Sequence, residues 1–471
     1  MPLIILVADG ARPDTFAEAL DSGSLPALAR LREEGGLHTV TSVFPSVTGP
    51  AYAPFLMGRY PGPIGLPGLR WFDRERSAAS FPHYTRSYVG SEMRKVDRDM
   101  DATAPTLFEL AGPGLAALNV IGRGLHRRST LGRGPRFVMR AARTHFCGNV
   151  RGWLQIDRDI GAELTRRMLR DRPRFVFCAL TGIDKTSHSE GHGAPVVRDA
   201  MRIVDETAAR LREGLERAGE WERTQLWVVS DHGHSPVRRH EDLAGLLTSW
   251  GHGVVSHPWV YARGRDVAVM VSGNAMAHLY LELERRNRPW WPAMAGKWEE
   301  MAARLLERPS VDLLLLPHSS ERCELRSATR GRAMVEWSGR GTAMRVSYRS
   351  MDGDPLGLGG DVEALDASSA HELCSTTDYP DALVQVAHLA GAPRSGEMIL
   401  SAARDWDLRS RFEPIPHVSS HGALHREHML VPLLLNRPVN GIPRRTVDIM
   451  PSALASLGLQ IPDGLDGESF V

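Results

Sequence analysis

Three aspartates of this sequence follow short apolar runs. Asp9 and Asp231 come directly after two such runs, and Asp184 comes four residues after a third. Short apolar runs are typical of strands covered on both faces, and open α/β sheets bind ligands at the carboxyl ends of their strands. The pattern therefore predicts a cluster of carboxylates at one edge of a sheet. Taken singly, each aspartate could equally cap a helix or close a turn.

Histidines accompany these aspartates at spacings that suit metal binding. His188 lies four residues after Asp184, which brings both side chains to one face of a helical turn. Such mixed sets of imidazole and carboxylate ligands favour zinc or manganese over calcium. His421 is the candidate from a Ser-Ser-His-Gly loop, where His417, His425 and His428 compete with it. We expect two metal sites built from Asp9, Asp184, His188, Asp231, His232 and His421.

Thr48 is the candidate nucleophile. It lies in Phe-Pro-Ser-Val-Thr-Gly-Pro, at the start of a predicted helix. Amides at a helix N-terminus favour anions, so a phosphoryl group could dock there, and metal coordination would lower the pKa of the hydroxyl. The alternative is a plain helix N-cap.

Alternating strand and helix patterns predict the scaffold that positions these residues. The apolar runs 3–8, 174–180, 225–230 and 429–435 indicate parallel central strands, and the segments 25–34, 159–170 and 196–218 have helical periodicity. We expect an α/β fold with a doubly wound, mostly parallel sheet. Residues 1–260 and 415–471 would form this core, and residues 261–414 an inserted α+β cap with a helix, a hairpin and loops.

The composition limits the classes of partner and compartment. The chain has 57 Lys and Arg against 56 Asp and Glu, so no overall field draws it to nucleic acid or an anionic membrane. The four cysteines show no CxxC spacing, which favours a reducing compartment. The sequence shows neither a signal peptide nor a run of about 20 apolar residues. We expect a cytoplasmic protein, and the oligomeric state stays open. If a phosphoryl group docks beside Thr48, the partner is a small phosphorylated substrate.

Together these segments resemble the alkaline phosphatase superfamily, and most closely its type I phosphodiesterase and nucleotide pyrophosphatase family. The resemblance covers roughly residues 1–260 and 415–471. It rests on the order of Asp9-Gly10, Thr48-x-Pro50, Asp184-x3-His188, Ser230-Asp231-His232-Gly233 and His421-Gly422.

The resemblance implies a division of labour among these residues. Asp184, His188 and His421 would hold one metal ion, and the remaining three ligands would hold the other. Thr48 would bind the second ion, attack phosphorus and form a phospho-threonine that water then releases.

One departure from the family pattern concerns the substrate. The family usually has an asparagine three residues after the nucleophile, where Ala51 stands here, so either another donor meets that phosphoryl oxygen or the substrate differs. Tyr52, Asn274 and His278 are the candidates, and Lys185 and Arg70 could hold further negative oxygens.

The resemblance leaves several reactions open. A zinc-dependent or manganese-dependent phosphodiesterase or nucleotide pyrophosphatase is the main expectation, with a phosphonate hydrolase or a phosphomonoesterase as competitors. A phosphotransferase and an inactive binder of phosphorylated ligands are lesser alternatives. The Thr48-Gly-Pro-Ala-Tyr52 segment lacks the Cys/Ser-x-Pro-x-Arg pattern of sulfatases.

Overall fold

The central sheet is sandwiched between two apolar layers. In this computed structural model, which describes residues 1–76, 84–257, 265–408 and 415–471, the strand Leu3–Ala8 is fully buried. Its odd-numbered residues pack into one cluster and its even-numbered residues into another. Alternating side chains of a strand point to opposite faces, so a continuous apolar run is what a sheet covered on both faces requires.

Seven strands form this central sheet. All adjacent pairs are parallel except the two that involve Leu430–Leu435. The strand order is Leu37–Thr41, Leu430–Leu435, Gln225–Val229, Leu3–Ala8, Phe175–Leu180, Gly114–Ala117 and Thr130–Leu131. The predicted mostly parallel α/β fold is therefore confirmed.

The direction of the strand Leu430–Leu435 was predicted wrongly, because it runs antiparallel to Gln225–Val229. An apolar run reports burial on both faces and carries no information on direction. The antiparallel direction has a structural consequence. The strand begins at the edge where the parallel strands of the sheet end, so the preceding loop brings His421 beside Asp184 and His232.

Helices cover both faces of the central sheet, as the periodic segments predicted. The segment 25–34 forms Pro26–Gly35, 159–170 is the second half of Val150–Asp171, and 196–218 forms Pro195–Arg217. The other helices up to residue 249 are Pro13–Asp21, Ala53–Met57, Val96–Asp99, Leu107–Ala111, Pro135–Phe146, Gly182–Glu190 and Leu243–Ser249. Arg426–Met429 and Ile449–Ser456 follow near the end of the chain.

A second, largely antiparallel sheet of nine strands lies between residues 254 and 402. Its strand order is Val254–Val255, Val267–Ser272, Met276–Leu281, Met398–Ala402, Val311–Ser319, Arg322–Ser327, Gly331–Ser338, Arg345–Ser350 and Val362–Asp366. The helices Ala295–Leu306, Ala367–Ser375 and Ala382–Ala390 pack with it. The sequence had predicted only a helix, a hairpin and loops in this region. The division into a core and an insertion stays a prediction, since positions 261 and 414 lie outside the described residues.

Two small sheets complete the fold. The strand Ser235–His240 pairs with Asp405–Asp407 and with Ser419–Ser420. Because Ser235–His240 follows the carboxyl end of Gln225–Val229, this pairing brings the loop before His421 to the same edge. The strands Arg70–Phe72 and Thr85–Ser87 form a hairpin nearby.

Candidate metal centre

The six predicted metal ligands lie together at the carboxyl edge of the central sheet. Donor atoms of Asp9, Asp231 and His232 lie within 4.8 Å of one another, and the same limit holds for a group that contains Asp184 and His421. That second group is Asp184, His232, His234 and His421. The remaining predicted ligand, His188, has its Nε2 3.1 Å from Asp184 Oδ1.

Hydrogen bonds on the far side of their rings orient two of these histidines toward Asp184. His188 Nδ1 donates to the carbonyl of Ser419, and His421 Nδ1 donates to the carbonyl of Ser46, both at 2.9 Å. Because a carbonyl only accepts, the neutral form of each imidazole carries its lone pair on Nε2. The two Nε2 atoms lie 3.1 and 3.4 Å from Asp184 Oδ1. Acceptors that face each other in a buried site favour a cation between them.

His234 is a third imidazole at this position, and sequence reasoning missed it. Its Nε2 lies 3.0 Å from Asp184 Oδ1, and its Nδ1 lies 3.2 Å from Ser419 Oγ. Ser419 Oγ donates to the carbonyl of Ser235, so it accepts from Nδ1 and leaves a lone pair on Nε2. The Asp-His-Gly-His order could have predicted this residue, because a spacing of two residues in an extended segment puts both histidines on one side.

Gly10 makes room for His234. A Cβ at Gly10 would lie 2.9 Å from His234 Nε2 and 3.0 Å from Asp184 Cα. The glycine also has a φ of +82°, in the left-handed region that side chains rarely adopt. The Asp9-Gly10 pair thus supplies one carboxylate and the space for a neighbouring imidazole.

The other donor group centres on His232. Its Nδ1 donates to the carbonyl of Gly233, so Nε2 presents a lone pair 3.4 Å from Asp9 Oδ1 and 3.6 Å from Asp231 Oδ2. Asp231 Oδ2 is buried and has no hydrogen-bond partner within the described part of the chain. An unsatisfied buried carboxylate oxygen is costly, and a bound cation would remove that cost. The donor set therefore fits a metal ion.

Three neighbouring carboxylates are buried together, and burial opposes the ionisation of each. Burial raises the pKa of Asp9 well above its ordinary value, and the charges of Asp231 and Asp184 raise it further. Burial likewise raises the pKa of Asp231. Burial opposes ionisation of Asp184 too, but Lys185 and His188 bring its pKa well below the ordinary value. Lys185 Nζ lies 2.8 Å from Asp184 Oδ2. Divalent cations would relieve this repulsion in the same way.

Thr48 lies against the group centred on His232. Its Oγ1 donates to Asp9 Oδ1 at 3.2 Å and lies 3.1 Å from His232 Nε2. Thr48 is not an N-cap, because the short 3-10 helix Pro50–Tyr52 begins after Gly49. The alternative role considered for this threonine is thus excluded.

A buried aspartate on a neighbouring helix caps the helix Gly182–Glu190, which carries Asp184 and His188. Asp157 accepts hydrogen bonds from the amide of Thr181 at 3.2 Å and from that of Gly182 at 2.6 Å. These amides are unsatisfied at a helix start, so the carboxylate fixes the position of the helix.

Three of the predicted substrate residues line a cavity of about 150 Å³ next to Thr48. They are Arg70, Lys185 and Asn274. Asn274 lies in the turn between Val267–Ser272 and Met276–Leu281, where its φ is +63° and its amide lies 2.9 Å from His417 Nδ1. A turn of the second sheet therefore reaches the site on the central sheet.

The other predicted substrate residues do not line this cavity. Ala51 and Tyr52 are fully buried, and the Tyr52 ring packs at 5.3 Å against Phe177. His278 Nε2 contacts the carbonyl of Pro67, and its Nδ1 accepts from the amide of Gly396. Both nitrogens of His278 are thus engaged within the protein.

Comparison with known proteins agrees with this geometry. Residues 3–303 match the model of the family "Type I phosphodiesterase / nucleotide pyrophosphatase". Phosphonoacetate hydrolase from Sinorhizobium meliloti 1021, solved with phosphonoformate, gives a TM-score of 0.56 at 16% identity, over 97% of this chain and 96% of that one. Murine ectonucleotide pyrophosphatase / phosphodiesterase 5 gives 0.59 at 14% identity, over 98% and 96%. Its inactive threonine-to-alanine form with AMP gives 0.58 over the same shares.

A curated relative matches a shorter stretch. GPI ethanolamine phosphate transferase 1 of Gibberella zeae is 30% identical over 112 residues, which are 22% of this chain. The chain spans only 11% of the length of that relative.

The fold and the paired Asp/His groups define a member of the alkaline phosphatase superfamily. Within it, the chain belongs to the type I phosphodiesterase / nucleotide pyrophosphatase family. The family supports hydrolysis of a phosphoric ester or a pyrophosphate, and the Asp/His groups agree with a divalent-metal requirement. None of the helices in the described ranges is long and apolar enough to cross a membrane.

Proposed function

We propose that this chain is a two-metal phosphodiesterase whose nucleophile is Thr48. The observation that carries the proposal is the position of Thr48 Oγ1, 3.2 Å from Asp9 Oδ1 and 3.1 Å from His232 Nε2. A hydroxyl whose proton faces acceptors of this kind is oriented and ready to lose that proton. Asp184, His188 and His421 would hold one ion, and Asp9, Asp231 and His232 the other.

The metal ions, when bound, supply Lewis acidity that lowers the hydroxyl pKa and neutralises phosphoryl charge. Zinc suits the mixed imidazole and carboxylate donors best, with manganese as the alternative. Asp9 orients the Thr48 hydroxyl by accepting its hydrogen bond. Lys185 and Arg70 line the cavity where non-bridging oxygens would lie, and Asn274 offers an amide in place of the asparagine that Ala51 replaces.

The reaction would run in two displacements. Thr48 Oγ1 forms a bond to phosphorus while the bond to the leaving alcohol breaks, and the alcohol departs with a proton. Water then attacks the phospho-threonine, which regenerates the hydroxyl and releases the phosphomonoester. The inactive threonine-to-alanine form of the murine neighbour supports this role for a threonine in that protein.

A phosphonate hydrolase is the second candidate. Phosphonoacetate hydrolase is a structural neighbour, and two cations, Lys185 and Arg70, line the cavity. A substrate with a carboxylate beside its phosphonate could engage both. The ratio of diester to phosphonate turnover separates the two candidates.

The test is a substrate panel on the zinc-loaded and manganese-loaded protein. It compares bis(p-nitrophenyl) phosphate, p-nitrophenyl phosphate, phosphonoacetate and a dinucleotide. We expect Thr48→Ala to lower diester turnover by at least about a thousandfold and to abolish the covalent phosphoprotein, with bound metal unchanged. Thr39→Ala is the matched control, because Thr39 is the exposed residue of the edge strand Leu37–Thr41. Diester turnover retained by Thr48→Ala would exclude the nucleophile, and faster phosphonate turnover by the parent would select the second candidate.

A further inference from the structure

The nearly neutral chain contains a strongly basic segment. Residues 110–156 hold eight arginines and two histidines but no aspartate or glutamate. Most of these arginines are exposed, including Arg127, Arg128 and Arg133. The near-zero net charge of the whole chain conceals this imbalance, which creates a local positive field.

The helix Pro135–Phe146 lies inside this basic segment and exposes apolar side chains. Val138, Met139 and Phe146 are 53%, 69% and 77% exposed. On the opposite side, Phe137 and Ala141 pack against the core cluster of the central sheet. The exposed apolar residues therefore do not belong to the fold's own core.

Apart from Val138, helical periodicity sorts the exposed apolar and basic side chains of this helix into two adjacent strips. At 100° per residue, Met139 and Phe146 lie within about 20° of each other. Arg136, Arg140 and Arg143 lie beside them, in a sector of about 60°. Arg140 also pairs with Asp159 at 2.6 Å. An apolar strip flanked by arginines is the pattern of a helix that lies in a membrane interface.

The same helix borders the cavity that contains Thr48. Thr144 and His145, in its last turn, line the cavity, as do Val150 and Trp153 of the next helix. Val89, another exposed apolar residue, lines it too. The helix that carries the exposed apolar and basic side chains thus borders the candidate active site.

We propose that the helix Pro135–Phe146 docks on an anionic lipid bilayer and holds the cavity mouth against the membrane surface. A bilayer interface offers both phosphates for the arginines and acyl chains for Met139 and Phe146. A nucleic acid backbone satisfies the arginines alone. The proposal goes beyond the phosphodiesterase function and does not depend on it, because the docking residues are distinct from the metal ligands.

The test is cosedimentation of the full chain with vesicles at low salt. We expect binding to vesicles of phosphatidylcholine with about 30% phosphatidylglycerol, a composition that gives a negative surface potential. We expect little binding to pure phosphatidylcholine. Arg136→Gln/Arg143→Gln should weaken binding about fivefold per arginine. Met139→Ser/Phe146→Ser should weaken it by about tenfold, through the loss of inserted apolar area.

Matched controls change exposed residues of the same types elsewhere. They are Arg340→Gln/Arg349→Gln and Met351→Ser/Ile442→Ser, which should bind like the parent. Thr48→Ala should also bind like the parent, which separates docking from catalysis. Circular dichroism establishes that each variant is folded.

Two results would overturn the proposal. One is an absence of vesicle binding by the parent. The other is vesicle binding that both helix variants retain at the level of the control variants. Heparin is included as a soluble polyanion. If the parent binds heparin but not vesicles, the surface recognises polyanions and not a bilayer.

Discussion

At the scale of single residues, the site depends on groups that hold imidazole rings from behind. His188, His234 and His421 each use Nδ1 for a hydrogen bond, so each directs Nε2 toward Asp184 Oδ1. Such hydrogen bonds fix the tautomer and orientation that metal binding needs. Ser419 serves two of the three rings, through its carbonyl and its hydroxyl.

His234→Ala is the prediction that follows for the metal site. We expect the affinity for the ion beside Asp184 to fall about 10- to 100-fold, because the variant loses a lone pair that faces the ion. Competition with a chromogenic chelator measures the affinity of each of the two ions, and the ion beside Asp9 should be little affected. His240→Ala is the control. His240 Nδ1 lies 2.7 Å from Asp407 Oδ1, and this pair does not belong to the donor groups. Equal affinities in parent and variant would assign His234 a purely structural role.

At the scale of secondary-structure elements, apolar runs in the sequence predicted the central sheet but did not lead to a prediction of the second sheet. The run in Leu3–Ala8 must be covered on both faces, which few other structures allow. Within the second sheet, Arg345–Ser350 and Gly331–Ser338 mix exposed arginine with buried residues and lack a comparable run. Val267–Ser272 is as buried as the central strands, but it was not recognised as a strand. The ligands of the Asp-His-Gly motif could be predicted from the sequence because they directly follow the end of a strand. Asn274 reaches the same site only through the pairing of strands, which local sequence does not reveal.

Asp157→Ala tests how one element positions the metal ligands. Loss of two hydrogen bonds to Thr181 and Gly182 should lower the free energy of unfolding by about 1–2 kcal/mol. It should also weaken metal binding, because the helix carries Asp184 and His188. Urea denaturation and metal titration measure the two effects.

The control for this prediction is a cap on another helix. Asp366 accepts from the amide of Ser369 at 2.8 Å at the start of Ala367–Ser375. Asp366→Ala should lower the free energy of unfolding and leave metal affinity unchanged. If both variants bind metal like the parent, the Asp157 cap does not position the ligands.

At the scale of the whole molecule, a buried ion pair joins the second sheet layer to the C-terminal segment. Arg445 contacts both carboxylate oxygens of Asp381, at 2.7 and 2.9 Å, and Gln385 donates to the same carboxylate at 2.8 Å. Asp381 precedes the helix Ala382–Ala390, and Arg445 precedes the helix Ile449–Ser456. Both partners are buried, so the pair is sheltered from the screening that weakens surface pairs.

Arg445→Met should therefore lower the free energy of unfolding by about 3–5 kcal/mol, because it leaves a buried carboxylate without its partner. Arg437→Met, which breaks the exposed pair with Glu222, should lower the free energy of unfolding by less than about 1 kcal/mol.

The pH dependence of stability provides a second readout of the same ion pair. Burial opposes ionisation of Asp381, yet Arg445 holds its pKa below the ordinary value. A depressed carboxylate pKa stabilises the fold above the ordinary pKa and loses that effect as pH falls through the folded value. Without Arg445, burial alone raises the pKa of Asp381, so acidification should stabilise the variant relative to the parent. Urea denaturation from about pH 3 to about pH 8, a range that includes the ordinary aspartate pKa of about 3.9, measures this difference. Parallel pH profiles of parent and Arg445→Met would show that the ion pair does not set the pH dependence.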